Sequence, residues 1–226
     1  MSVRKALREN SLSWFFGVLL LGALVGQAFT GLAFYNSTVA VDDLPSLTLG
    51  EYVTSSQFAV DVAENWQSEF LQFTLYILAT VYLVQRGSSE SKEPGKVGPE
   101  SDAEQKVAEF ATADSPSWAK RRDWKLSVYS RSLTLVMAVI FAGSWVAQSI
   151  AGRAAYNEQQ LGQLQDPVSW LGYVSSASFW GRTLQNWQSE FLAVAAMAVF
   201  AVYLRQRGSP ESKPVGSPHS ATGSEE

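Results

Sequence analysis

Two glutamates, Glu69 and Glu190, are the residues of this chain whose setting most favours chemistry. Each ends the same five-residue motif, Asn-Trp-Gln-Ser-Glu, at residues 65–69 and 186–190, and each stands where an apolar run begins. An ionisable side chain within a membrane costs roughly 2.5–3.5 kcal/mol at the bilayer centre, so it indicates a functional site by default. Both glutamates are predicted to lie near the outer headgroup boundary, where this cost is smaller. Two carboxylates in such a place suit the binding of a proton or a cation.

Amide side chains are predicted to lie at nearly the same depth as the two carboxylates. Interhelical hydrogen bonds in membrane proteins average about 0.6 kcal/mol, and an unpaired polar group there costs more. Mutual hydrogen bonding that joins the helices is therefore the preferred interpretation, and an ion site is the alternative. The candidate polar layer consists of Gln27, Asn65, Gln67, Glu69, Gln148, Asn186, Gln188 and Glu190.

The chain contains an internal repeat at an offset of 121 residues. Residues 10–92 align with residues 131–213 without a gap, and 31 of these 83 positions are identical. Self-similarity of this length at one offset indicates a duplicated structural unit.

Each copy begins with an apolar segment that is long enough to cross a bilayer. Residues 12–34 carry no charge, and about 20 such residues span the hydrocarbon core. The first segment also resembles a signal peptide, but its counterpart, residues 133–152, lies in the middle of the chain. The second apolar runs, residues 70–85 and 191–204, are too short, so helices there must begin upstream. The predicted transmembrane helices are about 12–34, 65–85, 129–152 and 186–204.

Charge predicts the topology. With a cytoplasmic N-terminus, 15 of the 17 Lys and Arg residues fall on the inner side, and only Arg153 and Arg182 fall outside. This bias is the positive-inside pattern. The predicted fold is therefore all-α, an integral membrane four-helix protein of two tandem, parallel two-helix repeats. Its parts are a first repeat (1–92), a cytoplasmic linker (93–124), a second repeat (125–213) and a disordered tail (214–226).

Arg182 stands in the second predicted outer loop, eight residues before Glu190. Carboxylates in the same region offer it an ion pair, and an exposed pair contributes about 0–1 kcal/mol. The candidate partners are Glu190, Asp166 and Glu158.

Tryptophans recur where the predicted helices meet the membrane surface. Such positions favour Trp because its ring is apolar and its indole N–H is polar. The predicted interface anchors are Trp66, Trp187, Trp118 and Trp124.

Small residues four apart occur at matching places in the first and third helices. Gly22 with Gly26, and Gly143 with Ala147, would allow two helices to approach closely. These faces predict a homo-oligomer, and the lipid bilayer and an unknown membrane or envelope protein are the other expected partners.

The composition excludes several classes of site. The chain has no Cys, and its one His, His219, lies in the predicted tail. No thiolate site or multi-His metal site can form, and we find no phosphate loop, nucleophile elbow or nucleic-acid-binding array. We therefore expect no catalytic, cofactor-binding or metal-binding residues, no nucleic-acid partner and no enzymatic activity.

Motifs near the end of each copy support a resemblance. The chain has Asn-Trp-Gln-Ser-Glu-Phe-Leu in both halves, followed by Gln-Arg-Gly-Ser-Ser-Glu-Ser-Lys at 85–92 and Gln-Arg-Gly-Ser-Pro-Glu-Ser-Lys at 206–213. It resembles a domain-of-unknown-function family of multi-pass bacterial, mostly actinobacterial, membrane proteins. The resemblance implies a bacterial cytoplasmic-membrane location and names no functional residue.

The sequence predicts a structural or partner-binding membrane component with both termini in the cytoplasm. The alternative is a small oligomeric channel, or a transporter coupled to protons or cations, that uses Glu69 and Glu190. The inner parts of the predicted helices are almost purely apolar, as at residues 75–84 and 194–204. A pore through one chain needs a continuous polar path, so this pattern favours the first interpretation.

Overall fold

The computed structural model describes residues 3–42 and 44–223, and these residues are predominantly helical. They form eight α-helices and two short 3-10 helices, with no strand among the described residues. The α-helices are α1 (Val3–Glu9), α2 (Ser11–Val39), α3 (Leu49–Val53), α4 (Ser56–Tyr82), α5 (Trp124–Tyr129), α6 (Ser132–Gly162), α7 (Trp170–Val174) and α8 (Ala177–Tyr203). The all-α class that the sequence predicts is therefore confirmed for this part of the chain.

The helix bounds follow the offset of the sequence repeat. Helices α3 and α7, and likewise α4 and α8, begin and end at residues 121 apart, and so do the first residues of α2 and α6. Helices α4 and α8 begin nine residues before their predicted starts. The hydroxyl oxygens of Ser55 and Ser176 explain this difference, because each accepts the backbone N–H three residues later at 3.2 Å and so caps a helix.

The chain divides into two compact units. The first contains Met1–Val62 and Ala147–Trp170, and the second contains Ala63–Val146 and Leu171–Glu226. The unit boundaries cut through α4 and α6, so each unit draws on both copies of the repeat.

In the first unit, one asparagine in each copy closes the loop that follows the long apolar helix. Asn36 donates its side-chain amide to the Leu47 carbonyl at 2.9 Å and accepts the Leu47 N–H at 2.8 Å. Asn157 makes the same pair of bonds with Val168, at 3.1 and 2.8 Å. An amide side chain has both a donor and an acceptor, so it can bond the C=O and the N–H of one residue at the same time. These two hydrogen bonds fix the loop in both copies.

Tyr52 forms the packed centre of the first unit around α3. The side chain is only 2% exposed, and its ring lies 6.0 Å from that of Tyr35 and 5.6 Å from that of Phe58. A Cβ at Gly31 would overlap the Tyr52 hydroxyl. Glycine at position 31 therefore permits the close approach of Tyr52 to α2. The sequence alone does not predict this contact.

By length and composition, two of the described helices could cross a membrane, namely Ser11–Val39 and Ser132–Gly162. Helices α4 and α8 are also long, at 27 residues each, but their first halves are polar. Two of the four predicted spans thus have the length and composition of a membrane-spanning helix, and the four-helix membrane architecture stays a prediction.

The segments predicted to be a linker and a tail contain turns with specific contacts. In the predicted linker, Ala108 forms a 3-10 helix with Phe110 and donates its N–H to the Ala119 carbonyl at 2.8 Å. In the predicted tail, the Gly223 N–H donates to the Ser88 carbonyl at 3.0 Å. Residues 224–226 lie outside the described part of the chain.

Candidate functional site

The predicted polar layer divides between buried and accessible side chains. Gln67 and Gln148 are fully buried, and Gln27, Asn186 and Glu190 are half-buried. Asn65, Glu69 and Gln188 are exposed. Corresponding residues of the two Asn-Trp-Gln-Ser-Glu motifs thus have different environments, because Gln67 is enclosed and Gln188 is not. As a functional site, the layer stays a prediction.

The two glutamates stand at the midpoints of their helices. Glu69 is 13 residues from either end of α4, and Glu190 is 13 residues from either end of α8, which is about 20 Å at 1.5 Å per residue. Helix α4 ends at Tyr82 and α8 at Tyr203, four and two residues before Arg86 and Arg205, which directly follow the two apolar runs.

One hydrogen bond joins the two motifs directly. The indole N–H of Trp187 donates to the side-chain carbonyl of Gln67 at 2.8 Å. Both residues belong to the second unit, and the bond connects α8 with α4. Two members of the motif therefore have a structural role, because they hold the second helices of the two copies together.

An ion pair joins the same two helices closer to their first turns. The Arg182 guanidinium donates to both carboxylate oxygens of Glu64, at 2.7 and 2.9 Å. The Glu64 side chain is 16% exposed and that of Arg182 is 37% exposed. This two-point geometry is the strong form of an arginine–carboxylate contact. Glu64 is not among the partners that the sequence suggested for Arg182.

We expect Glu64→Ala to lower the free energy of unfolding by about 1–3 kcal/mol, because it removes the two-point acceptor of a partly buried guanidinium. The matched control is Gln185→Ala, since Gln185 holds the same place in the second copy and is exposed. Denaturation of the detergent-solubilised protein measures both. Equal losses from the two substitutions would show that the ion pair contributes nothing specific.

Seven aromatic rings form a continuous cluster in the second unit. The Trp145 ring stacks on Phe141 at 5.5 Å and on Phe179 at 6.4 Å, and it meets Trp180 at 6.1 Å and Trp187 at 5.7 Å. We call this set the aromatic cluster; its members are Phe141, Trp145, Tyr173, Phe179, Trp180, Trp187 and Phe191.

The predicted interface anchors differ in their surroundings. Trp66, Trp118 and Trp124 are exposed, and the rings of Trp118 and Trp124 touch edge to face at 6.2 Å. Trp187 is instead half-buried within the aromatic cluster, with its N–H bonded to Gln67. Trp187 therefore packs between helices, whereas the other three have the exposure that membrane anchoring needs.

The eight-residue motifs that end the two copies form matching turns. In each, the motif's second-last residue, Ser91 or Ser212, accepts the backbone N–H of the first residue, Gln85 or Gln206, at 2.8 or 2.9 Å. The residues from 85 to 92 and from 206 to 213 are identical at seven of eight positions. This identity lies in polar segments outside the apolar runs, and it is the feature of the sequence that indicates a structured element there. The predicted polar layer does not include these residues.

The two motifs meet in the second unit, and a lysine lies at their junction. Lys213 is 3% exposed, and its ammonium donates to the carbonyl oxygens of Gly87, Pro218, His219 and Ala221. Loss of hydration lowers the pKa of this ammonium, and the nearby Arg205 charge lowers it further. We call the residues 85–92 and 206–223 the terminal module.

Carboxylates from both copies also meet in the terminal module. Burial raises the pKa of Glu90, and a hydrogen bond with the Glu211 side chain and the Glu211 charge raise it further. The Tyr76 hydroxyl donates to Glu90 at 3.0 Å and opposes this effect. Glu90 and Glu211 occupy the same position of the repeated motif, so the duplication itself brings like groups together.

The described residues contain no group of three or more His, Asp or Glu side chains arranged to hold a metal ion. The chemistry that the arrangement offers is therefore that of amides, carboxylates and indole N–H groups among the helices of the second unit.

No curated protein and no solved structure matches the chain. A family model does match it, over residues 3–224, and its description is a domain of unknown function. The match covers both copies of the repeat, both Asn-Trp-Gln-Ser-Glu motifs and the terminal module. The chain therefore belongs to the family of the domain of unknown function DUF6766.

Proposed function

We propose that the chain is a multi-pass protein of the bacterial cytoplasmic membrane, with four spans, both termini in the cytoplasm and a structural or partner-binding role without catalysis. The observation that carries this proposal is the surface of α2. Its large apolar side chains are exposed along the whole helix, as with Leu12 (71%), Val18 (65%) and Leu21 (64%). Soluble proteins rarely expose apolar patches of this size, whereas lipid tails solvate them.

Helices α4 and α8 are proposed to span as well, with their apolar second halves in lipid. Leu78 in α4, and Leu192 and Phe200 in α8, are exposed side chains on these halves. Each helix is about 40 Å long at 1.5 Å per residue, which exceeds the roughly 30 Å of a hydrocarbon core. The polar N-terminal parts of the two helices, which include Glu64 and Arg182, would then project into the outer headgroup region.

The expected partner in the membrane is a second copy of the chain. A Cβ at Gly22, Gly26 or Gly143 would meet no atom of the described residues within 4 Å. These small-residue faces are therefore uncovered in a single chain. Close helix packing in lipid relies on such faces, which supports association through Gly22/Gly26 and Gly143/Ala147.

Topology can be tested directly, because the chain has no Cys. Single variants Leu44→Cys and Gln163→Cys place a thiol in the two proposed outer loops, and Ala103→Cys places one in the proposed cytoplasmic linker. A membrane-impermeant maleimide should label the first two in intact cells and the third only after lysis. Labelling of Ala103→Cys in intact cells, or recovery of the protein in the soluble fraction, would refute the proposed topology.

A second candidate function is transport of protons or cations, and the matching mid-helix positions of Glu69 in α4 and Glu190 in α8 favour it. A carboxylate at the middle of a membrane-spanning helix is costly unless a proton or a cation neutralises it. Ion flux into proteoliposomes distinguishes the two roles when wild type is compared with Glu69→Gln/Glu190→Gln. Flux that the folded double variant loses would establish the ion site. Equal absence of flux in both, with a lower Tm in the variant, would leave the structural role.

A further inference from the structure

Three aromatic rings contact one another on the surface of the second unit, just before α6. The Trp118 ring lies edge to face with the Trp124 ring at 6.2 Å and with the Tyr129 ring at 6.5 Å. Trp124 is 66% exposed, and the other two residues are each 40% exposed. Large apolar groups that adjoin one another and stay this exposed indicate a surface that binds a partner.

Three cations accompany these rings. The Lys125 ammonium lies 5.9 Å from the centre of the Trp124 ring, within the range of a cation–π contact. Lys120 and Arg131 each stand two residues after a ring of the group, a separation of at most about 7 Å along the backbone. We call this set the aromatic-basic patch; its members are Trp118, Lys120, Trp124, Lys125, Tyr129 and Arg131.

The positive charge of the aromatic-basic patch is not compensated by the carboxylates around it. Asp123 pairs with Arg121 at 2.9 Å, and Glu109 pairs with Arg122 at 2.5 Å. In the described part of the chain, no carboxylate forms an ion pair with the three cations of the patch. The side-chain hydrogen bonds of these cations go to neutral oxygen atoms. The patch therefore favours an anionic partner.

The first copy does not share the rings of the patch. At the 121-residue offset, Val3 and Arg8 of α1 hold the places of Trp124 and Tyr129 of α5. Each of these short helices precedes a long apolar helix, α2 or α6. The short helix thus forms without aromatic side chains in the first copy, so the rings of α5 are not needed for the helix itself.

The place of the patch in the fold selects the class of anion. Arg131 directly precedes Ser132, the first residue of α6, and the proposed topology puts this end of α6 at the cytoplasmic face of the membrane. Tryptophan and tyrosine rings suit the boundary between headgroups and acyl chains. Lysine and arginine side chains at the same depth attract the anionic lipids of the cytoplasmic leaflet.

We propose that the aromatic-basic patch binds the headgroups of anionic phospholipids in the cytoplasmic leaflet. The ammonium groups of Lys120 and Lys125 and the guanidinium of Arg131 donate to phosphate oxygens, and the rings pack on the glycerol and the upper acyl chains. This binding names a partner for the proposed structural role, and it rests on the proposed topology, which puts the start of α6 at that leaflet.

The test measures binding of dioctanoyl phosphatidylglycerol to the full chain in neutral detergent micelles, by the concentration-dependent rise in Tm. The comparison lipid is dioctanoyl phosphatidylcholine, which has the same acyl chains and phosphate but no net charge. We expect saturable binding of the anionic lipid and binding of the neutral lipid that is at least about tenfold weaker. This comparison uses only the wild-type protein, so it does not depend on the folding of a variant.

Two variants locate the site. Lys120→Gln/Lys125→Gln/Arg131→Gln removes the charge of the patch and should weaken binding of the anionic lipid by at least about tenfold. Trp124→Ala removes the ring beside the Lys125 ammonium and should weaken it by about two- to fivefold.

The matched controls change the same residue types elsewhere. Arg4→Gln/Lys5→Gln/Arg8→Gln removes three cations from α1, where no ring adjoins them in sequence and Lys5 pairs with Glu9 at 3.7 Å. It should weaken binding of the anionic lipid by at most about threefold. Trp66→Ala removes an exposed ring of α4 and should leave the Kd within about twofold.

Equal binding of the two lipids would overturn the proposal, and so would equal losses from the patch and α1 triple variants. Tighter binding of a short oligouridylate than of the anionic lipid would assign the patch to nucleic acid instead. Each of these results would leave the maleimide labelling pattern intact, whereas labelling of Ala103→Cys in intact cells would refute the topology on which the lipid site rests.

Discussion

Gly87→Ala is expected to lower the free energy of unfolding by about 3 kcal/mol or more, the combined effect of a left-handed backbone and a steric overlap. Gly87 has φ +87°, a conformation that costs an L-residue roughly 1–2 kcal/mol. A Cβ there would also overlap the carbonyl oxygen of His219 and approach Val202 Cγ1 to 2.9 Å. The backbone oxygen cannot move without disturbing the terminal module, so this overlap is not easily relieved.

The internal repeat supplies the control for this substitution. Gly208 is the equivalent residue of the second copy and has nearly the same backbone conformation, with φ +83°. A Cβ at Gly208 would meet no atom of the described residues within 4 Å. Gly208→Ala should therefore lower the free energy of unfolding by only about 1–2 kcal/mol, the cost of the backbone conformation alone. Chemical denaturation in detergent measures both, and equal losses would show that the two motifs do not pack as described.

Lys213→Met is expected to cost about 3–5 kcal/mol of folding free energy, because it leaves several buried carbonyl groups without their charged donor. The Lys213 ammonium donates to the Ala221 carbonyl at 2.8 Å and to the Pro218 and His219 carbonyls at 3.2 Å, in addition to Gly87. Methionine fills a similar volume, so the loss reports on the hydrogen bonds and the charge more than on packing.

Lys92→Met is the corresponding change in the first copy. The Lys92 ammonium donates to the Gly98 carbonyl at 3.0 Å and pairs with Glu100 at 2.9 Å, and its side chain is 26% exposed. Water can replace much of this contact, so we expect a loss of about 1 kcal/mol. Limited proteolysis of the C-terminal residues gives a second readout, since only Lys213→Met should release them. A Lys92→Met variant as unstable as Lys213→Met would contradict the assigned roles.

The repeat explains why the two halves of the chain form matching helices. The bounds of α3 and α4 recur 121 residues later in α7 and α8, because similar caps and apolar runs encode helices locally. The same local signals were sufficient to identify α2 and α6 as apolar helices that could span a bilayer. What the apolar runs could not show was how far α4 and α8 extend toward their N-termini, since Ser55 and Ser176 cap helices whose first halves are polar.

Polar contacts between distant residues were beyond the sequence. For Arg182 the nearby carboxylates were the natural candidates, yet the structure pairs it with Glu64, 118 positions earlier in the chain. Likewise, Gln67 and Gln188 have the same neighbours in sequence, and only the packing of α8 on α4 encloses Gln67. Sequence reasoning finds which residues are alike, but burial depends on which helix faces meet.

The helical class, the duplication and the residues of the two motifs follow from composition and from spacing along the chain, and they could therefore be found without a structure. The folded chain was needed to show that Trp187 bonds to Gln67, that seven rings form one cluster and that Lys213 is enclosed by carbonyl groups. These contacts are between residues far apart in the chain, and they depend on the distances that folding sets between side chains.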